Sequence, residues 1–102
     1  MDDRALLRTA ADQLEGLAAG STPGDWRTGG LLASRPEVIA YDEGSTEHVA
    51  EARARTAPWI SALSPAVGPP LAAWFRAASD QVEIEPAAVA LARVLVERLP
   101  LG

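Results

Sequence analysis

The sequence predicts a single α+β domain that is mainly helical, with about four helices and a small β-hairpin between the first and the second. Three observations indicate this fold class. Apolar residues recur at helical spacing near both ends of the 102-residue chain. A Ser-Pro pair at residues 64–65 is typical of a helix start. Two short apolar runs between residues 31 and 41 have the length of strands. The chain has the size of one domain.

The first helix is predicted over residues 3–19. Asp2 or Asp3 can cap its first turn, and Gly20 is a natural stop. Apolar residues lie three and four positions apart along one side of this segment: Leu7, Ala10, Leu14 and Leu17. This periodicity predicts that one face of the helix packs against the rest of the domain.

The β-hairpin is predicted from two apolar runs, residues 31–33 and residues 38–41. The four residues between them, Ser-Arg-Pro-Glu, would form the turn. Two short strands are only marginally stable on their own. We therefore expect the hairpin to pack on a helix.

A second helix is expected from near Glu47 to near Leu63. Ser45 or Thr46 can cap its start. Pro58 falls inside the helical pattern, where a proline removes one backbone donor and clashes with the preceding turn. Either the helix kinks at Pro58 or a new helix begins there, and we favour the kink.

The third helix is predicted to start at the Ser-Pro pair of residues 64–65 and to form a hairpin with the second helix. Two further prolines at residues 69–70 come late for a first turn. A tight turn over residues 65–68, followed by a regular helix over residues 69–79, is therefore an alternative.

The fourth helix is predicted from Glu85 and Pro86 to about Leu99. Val89 and Val96 widen its apolar stripe beyond what one side of a surface helix needs. So broad an apolar face indicates either a central helix or a contact between copies of the protein.

Composition narrows the classes of function. The chain has no cysteine, which excludes disulfides and thiolate chemistry and fits a reducing, cytoplasmic compartment. No apolar run approaches about 18 residues, and the acidic start does not resemble a secretory signal, so we expect no membrane association. The net charge of −5 and the absence of lysine disfavour binding to a phosphate backbone. We therefore do not expect a nucleic-acid partner.

His48 is the only histidine, and Glu47 and Glu51 lie close to it in the sequence. One interpretation is a metal site, or a general base oriented by Glu51, in a small metal-dependent enzyme. The other is a solvated first helical turn, where acidic residues oppose the helix dipole. We favour the second, because no other histidine completes a zinc set. No nucleophile elbow and no phosphate-binding loop occurs either. We predict no enzyme activity and no catalytic, cofactor-binding or metal-binding residue.

Three residues are candidates for contact with a partner protein: Trp59, Val89 and Val96. Trp74 and Phe75 follow helical stripes, so we expect them in the core. For Trp59 the pattern predicts neither burial nor exposure, because its neighbour Ile60 competes for the inward position. An exposed Trp59 would be a hot spot for a partner.

Two motifs stand out when the chain is viewed as a whole. The first is STPGDW at residues 21–26, after a helix and before short strands. The second is APWISALSPAVGPPLAAWF at residues 57–75. In this order they resemble the Ead-like phage early proteins and related short uncharacterised proteins of actinobacteria and their phages. The resemblance covers about residues 5–79. It departs at Asp25, where the family pattern has proline, and at Pro58, Pro69 and Pro70, where helix formers are expected. It implies a small accessory protein of phage or prophage origin, with no catalytic residues.

These observations together predict a non-catalytic protein that acts through protein–protein interaction. We expect a homo-oligomer, with a homodimer as the simplest form, and a host protein as a further candidate partner. One alternative is a nucleic-acid mimic that inhibits a host nuclease or defence complex. The other alternative is the metal-dependent enzyme centred on His48.

Overall fold

The computed structural model describes residues 1–29 and 36–99 and has an α+β architecture. The helices are α1 (Asp3–Ala19), α2 (Ala57–Ala62), α3 (Gly68–Ser79) and α4 (Pro86–Arg98). The strands are β1 (Asp25–Gly29), β2 (Glu37–Asp42) and β3 (Ser45–Glu51). The mainly helical α+β class is confirmed. The predicted hairpin is corrected to a three-stranded antiparallel sheet, and the second of the four predicted helices is reduced to the six residues of α2.

The chain divides into two compact units. The first unit comprises Met1–Gly20 and Gly68–Gly102 and contains the three longer helices. The second unit comprises Ser21–Val67 and contains the sheet and α2. The single domain expected from the chain length stays a prediction.

Helix α1 is central to the first unit, because it packs against both α3 and α4. The buried core consists of ten residues from these helices: Leu6, Leu7, Ala10, Ala11, Ala72, Phe75, Ala78, Ala88, Val89 and Ala92. Six of them are alanines, whose small side chains let helices approach closely. Leu7 and Phe75, both fully buried, therefore supply much of the core volume.

The helix ends follow the capping signals in the sequence. The Asp2 carboxylate accepts a hydrogen bond from the Ala5 backbone N–H at 2.8 Å, and Gly20 is the C-cap of α1. A 3-10 turn over Pro65–Val67 precedes α3. The alternative of a tight turn before a regular third helix is thus confirmed, with the helix starting one residue earlier than predicted. Helix α4 begins at Pro86, as predicted.

Two glycines in the first unit should respond oppositely to alanine. A Cβ at Gly68 would lie 2.8 Å from the Ala18 Cβ, whereas a Cβ at Gly16 would meet no atom within 4 Å. We expect Gly68→Ala to lower the free energy of unfolding by about 0.5–2 kcal/mol, because helix propensity offsets only part of the overpacking. Gly16→Ala, the matched control, should raise it by about 0.5–1 kcal/mol. Urea unfolding followed by circular dichroism measures both. Equal stability of the two variants would contradict the close contact at Gly68.

The sheet of the second unit has one face against α2. Trp26 of β1 is the register partner of Ala40, and Thr28 is the register partner of Val38. Val38 and Ala40 are buried, and α2 packs against β1 and β2. The Thr28 hydroxyl lies 3.3 Å from the Ser61 hydroxyl of α2, within hydrogen-bond distance. These contacts place α2 on the Trp26 face of the sheet.

The prediction of a helix from Glu47 was wrong. Residues 45–51 form β3, which pairs antiparallel with β2. The two strands are joined by Glu43 and Gly44, whose φ angles of 45° and 83° fit the tight two-residue turns that favour hairpins. Strand pairing across this turn prevails over the helical periodicity of the segment.

The kink predicted at Pro58 was also wrong. Pro58 lies in the first turn of α2, where a missing backbone N–H costs no helical hydrogen bond. The open alternative, in which a new helix begins there, is the one observed. Strand β2 confirms the predicted strand over residues 38–41, and β1 was not predicted. The other predicted strand, residues 31–33, lies outside the described residues.

Candidate protein-binding surface

Helix α2 displays two large apolar side chains to solvent. Trp59 is 67% exposed and Leu63, the C-cap residue, is 54% exposed. Residues four positions apart lie on the same side of a helix, so the two side chains are neighbours. We call this pair the α2 apolar pair. The pair combines the most exposed of the three tryptophans with an exposed leucine.

The position of Ala57 explains why Trp59 faces outward. Ala57 is fully buried, and Ile60 and Ser61, three and four positions later, are partly buried. This spacing turns the Ile60 side of α2 towards the sheet and the Trp59 side away from it. The competition between Trp59 and Ile60 for the inward position is therefore resolved in favour of Ile60.

The other two candidate contact residues, Val89 and Val96, are mostly buried inside the first unit. Val89 is 9% exposed and belongs to the core, and Val96 is a partly buried side chain packed against that core. The large exposed apolar side chains of α4 are instead Leu91 and Val94. The breadth of the apolar stripe was visible in the sequence, but which of its edges faces α1 depends on the packing of three helices.

The aromatic residues of α3 divide between core and surface. Phe75 is fully buried, as predicted, whereas Trp74 remains partly exposed. Their rings stack with centroids 5.4 Å apart. Trp74 thus packs on Phe75 and is less exposed than Trp59, at 40% against 67%.

His48 lies on β3 and not on a helix, so the helical arrangement behind both interpretations of this residue does not form. Its Nδ1 atom is 3.6 Å from a carboxylate oxygen of Glu37 on β2. Neighbouring residues of a strand point to opposite faces, so Glu47 cannot share the His48 face. Over residues 1–29 and 36–99, no group of three or more His, Asp or Glu residues is placed to hold a metal ion.

Several arginines of the first unit are held by acidic residues. Arg76 of α3 donates hydrogen bonds to Glu15 and to Asp12 of α1, the latter at 2.8 Å. The hydrogen bond to Glu15 is the main cause that raises the pKa of the Arg76 guanidinium above its ordinary value, and the bond to Asp12 is the second. Arg8 and Arg93 also lie within ion-pair distance of aspartates. These arginines act within the unit and do not form a separate basic surface of their own.

Arg27 connects two groups on the sheet face opposite α2. Its Nε atom donates to an Asp25 carboxylate oxygen at 2.7 Å, and its guanidinium lies 5.6 Å from the centre of the Tyr41 ring. Asp25, Arg27 and Tyr41 therefore form a small polar cluster, which the sequence patterns did not indicate.

Comparison with protein-family models, curated proteins and solved structures found no match. The resemblance to the Ead-like phage early proteins therefore stays a prediction. Among the helices that the structure describes, none has both the length and the apolar character that a membrane crossing requires.

Proposed function

We propose that this protein acts without catalysis, by binding another protein through the α2 apolar pair. The exposure of Trp59 is the observation that carries the proposal. Tryptophan is enriched among the few residues that dominate the energy of protein interfaces. Leu63 beside it extends the apolar surface that a partner would cover.

The cost of leaving Trp59 in water supports this function. Aromatic side chains bury about 150–250 Å² when they are covered, at roughly 25 cal/mol per Å². Covering the exposed part of Trp59 would thus contribute on the order of 3 kcal/mol to binding, before the cost of association. Helix α2 is held on the sheet by Ala57 and by the Ser61–Thr28 contact, so little ordering of the helix is needed.

The biological setting of the proposal rests on the sequence. The resemblance to phage early proteins supports a phage or prophage accessory role with a host protein as partner. The lack of cysteine supports a cytoplasmic setting.

Replacing Trp59 by alanine should abolish recognition of the partner. We expect immobilised wild-type protein to retain a host-lysate protein that Trp59→Ala loses, with affinity at least tenfold weaker once the partner is purified. Leu63→Ala should weaken the same interaction to a smaller degree. Circular dichroism should show an unchanged fold, because both side chains are mostly exposed.

Val82→Ala is the matched control, because Val82 is an almost fully exposed apolar residue of the other unit. It should bind the partner as the wild type does. Equal binding by the wild type and the folded Trp59→Ala variant would overturn the proposed role of the α2 apolar pair.

A further inference from the structure

Strand β1 forms one edge of the sheet of the second unit. The strand order is β1-β2-β3, so β2 pairs with one side of β1, and no described strand pairs with the other side. Alternate backbone N–H and C=O groups on that side are available to a further strand. Proteins usually protect such edges with charges, prolines or bulges.

The opposite edge, β3, carries this protection. Two of its seven residues are glutamates, Glu47 and Glu51, and it has no arginine. Its register with β2 shifts between Val38 and Ile39, an irregularity that bends a strand away from regular pairing. The β3 strand of a second copy, approaching this edge, would therefore meet like charges and an irregular backbone.

Strand β1 differs because its charges complement each other. Asp25 and Arg27 are two positions apart, so their side chains lie on the same face of the sheet. They are 60% and 67% exposed, respectively. Within the described residues, Arg27 donates through Nε alone, and its terminal guanidinium nitrogens remain available as donors.

We propose that a second copy of this chain pairs antiparallel with β1, with the two-fold axis at Trp26. In this register Asp25 faces Arg27 of the partner subunit, and Arg27 faces Asp25 of the partner subunit. Centring the pair on Asp25 or on Arg27 would instead set like charges opposite each other. A shift that pairs Trp26 with Arg27 of the partner subunit would exchange the two faces of the sheet.

The two-fold register keeps the faces of the sheet continuous. Trp26 would meet Trp26 of the partner subunit on the face that carries α2, while the charged pairs would lie on the Tyr41 face. Each copy would contribute three strands to one antiparallel sheet. The charges fix the register, and the backbone hydrogen bonds and the two indoles supply the contact.

This inference deepens the proposed function, because it rests on a binding role and names a second copy as one partner. It uses β1 and not the α2 apolar pair. The two surfaces can therefore be tested separately.

Two charge reversals and their mixture test the pairing. Asp25→Arg makes both charges of β1 positive, and Arg27→Asp makes both negative. We expect sedimentation velocity to show a wild-type dimer at micromolar concentration, and self-association of each variant to be at least about tenfold weaker. An equimolar mixture should regain the dimer, since each positive residue then faces a negative one.

The mixture separates pairing between copies from the Asp25–Arg27 bond within one copy, because mixing cannot repair a contact inside a chain. Arg53→Asp, a charge reversal in an exposed turn of the same unit, is the control and should dimerise as the wild type does. If either variant fails to fold, Asp25→Lys and Arg27→Glu provide a second matched pair. A monomeric wild type, or a mixture that stays monomeric, would overturn the inference.

The two proposals fail separately. A monomeric wild type overturns the β1 pairing and leaves the Trp59 experiment valid. Unchanged partner capture by Trp59→Ala overturns the α2 proposal and leaves the mixing result valid.

Discussion

Replacing Phe75 by alanine is expected to lower the free energy of unfolding by about 3–5 kcal/mol. Phe75 is fully buried and is the largest such side chain in the described residues. Most of its core neighbours are alanines, which cannot move far enough to fill the space of a lost ring. Both the transfer of the ring and the cavity left behind therefore contribute to the loss.

The effect is large compared with the total stability of a domain, which is about 5–15 kcal/mol. Urea unfolding followed by circular dichroism measures it. Phe75→Leu is the control and should cost much less, about 1–2 kcal/mol, because it keeps most of the buried volume. A loss below about 1 kcal/mol for Phe75→Ala would contradict the central position of this ring in the core.

Replacing Arg4 by alanine should have the next largest effect, a loss of about 2–3 kcal/mol. The Arg4 guanidinium donates to the backbone carbonyls of Ser79 at 2.6 Å, Gln81 at 2.7 Å and Val82 at 3.1 Å. These carbonyls lie at and just beyond the end of α3, where no later helical N–H is available to donate to them. Arg4 thus links the start of α1 to the end of α3 through hydrogen bonds.

The fork shape of the guanidinium is important here, because a lysine ammonium cannot reach three carbonyls in the same geometry. We expect Arg4→Lys to recover less than half of the loss. Arg8→Ala is the matched control one turn later, where the ion pair with Asp80 is exposed and its atoms are 3.8 Å apart. Urea unfolding measures the free energy of unfolding of both variants. Equal losses for Arg4→Ala and Arg8→Ala would contradict a special role for Arg4.

Segments with local signals were predictable from the sequence. Helix α1 has both its apolar stripe and the Asp2 cap, and α4 has Pro86 at its start. The 3-10 turn before α3 was predictable from Pro69 and Pro70, which come too late for a first turn counted from Pro65. In each case the signal lies within one element and does not depend on a distant partner.

The sheet was less predictable, because its partners lie in different segments. The predicted second helix rested on a helical spacing that starts at Val49 and continues past residue 51, but the pairing of residues 45–51 with β2 makes this stretch a strand. Strand β1 contains one large apolar residue, Trp26, and so has no apolar alternation of its own. The candidate binding surface shows the same limit: Trp59 was recognised, whereas the orientation of Val89 depended on helix packing.

The discontinuity of the first unit has a consequence for synthesis on the ribosome. The second unit is one continuous stretch, Ser21–Val67, whose strands are joined by short-range pairing. Its described strands and α2 are all present once that stretch has emerged, so their pairing does not wait for later residues. Helix α1 is made before the second unit, whereas α3 and α4, which cover its apolar stripe, are made after it. The apolar stripe of α1 therefore stays without its helical partners during synthesis until α3 and α4 have emerged.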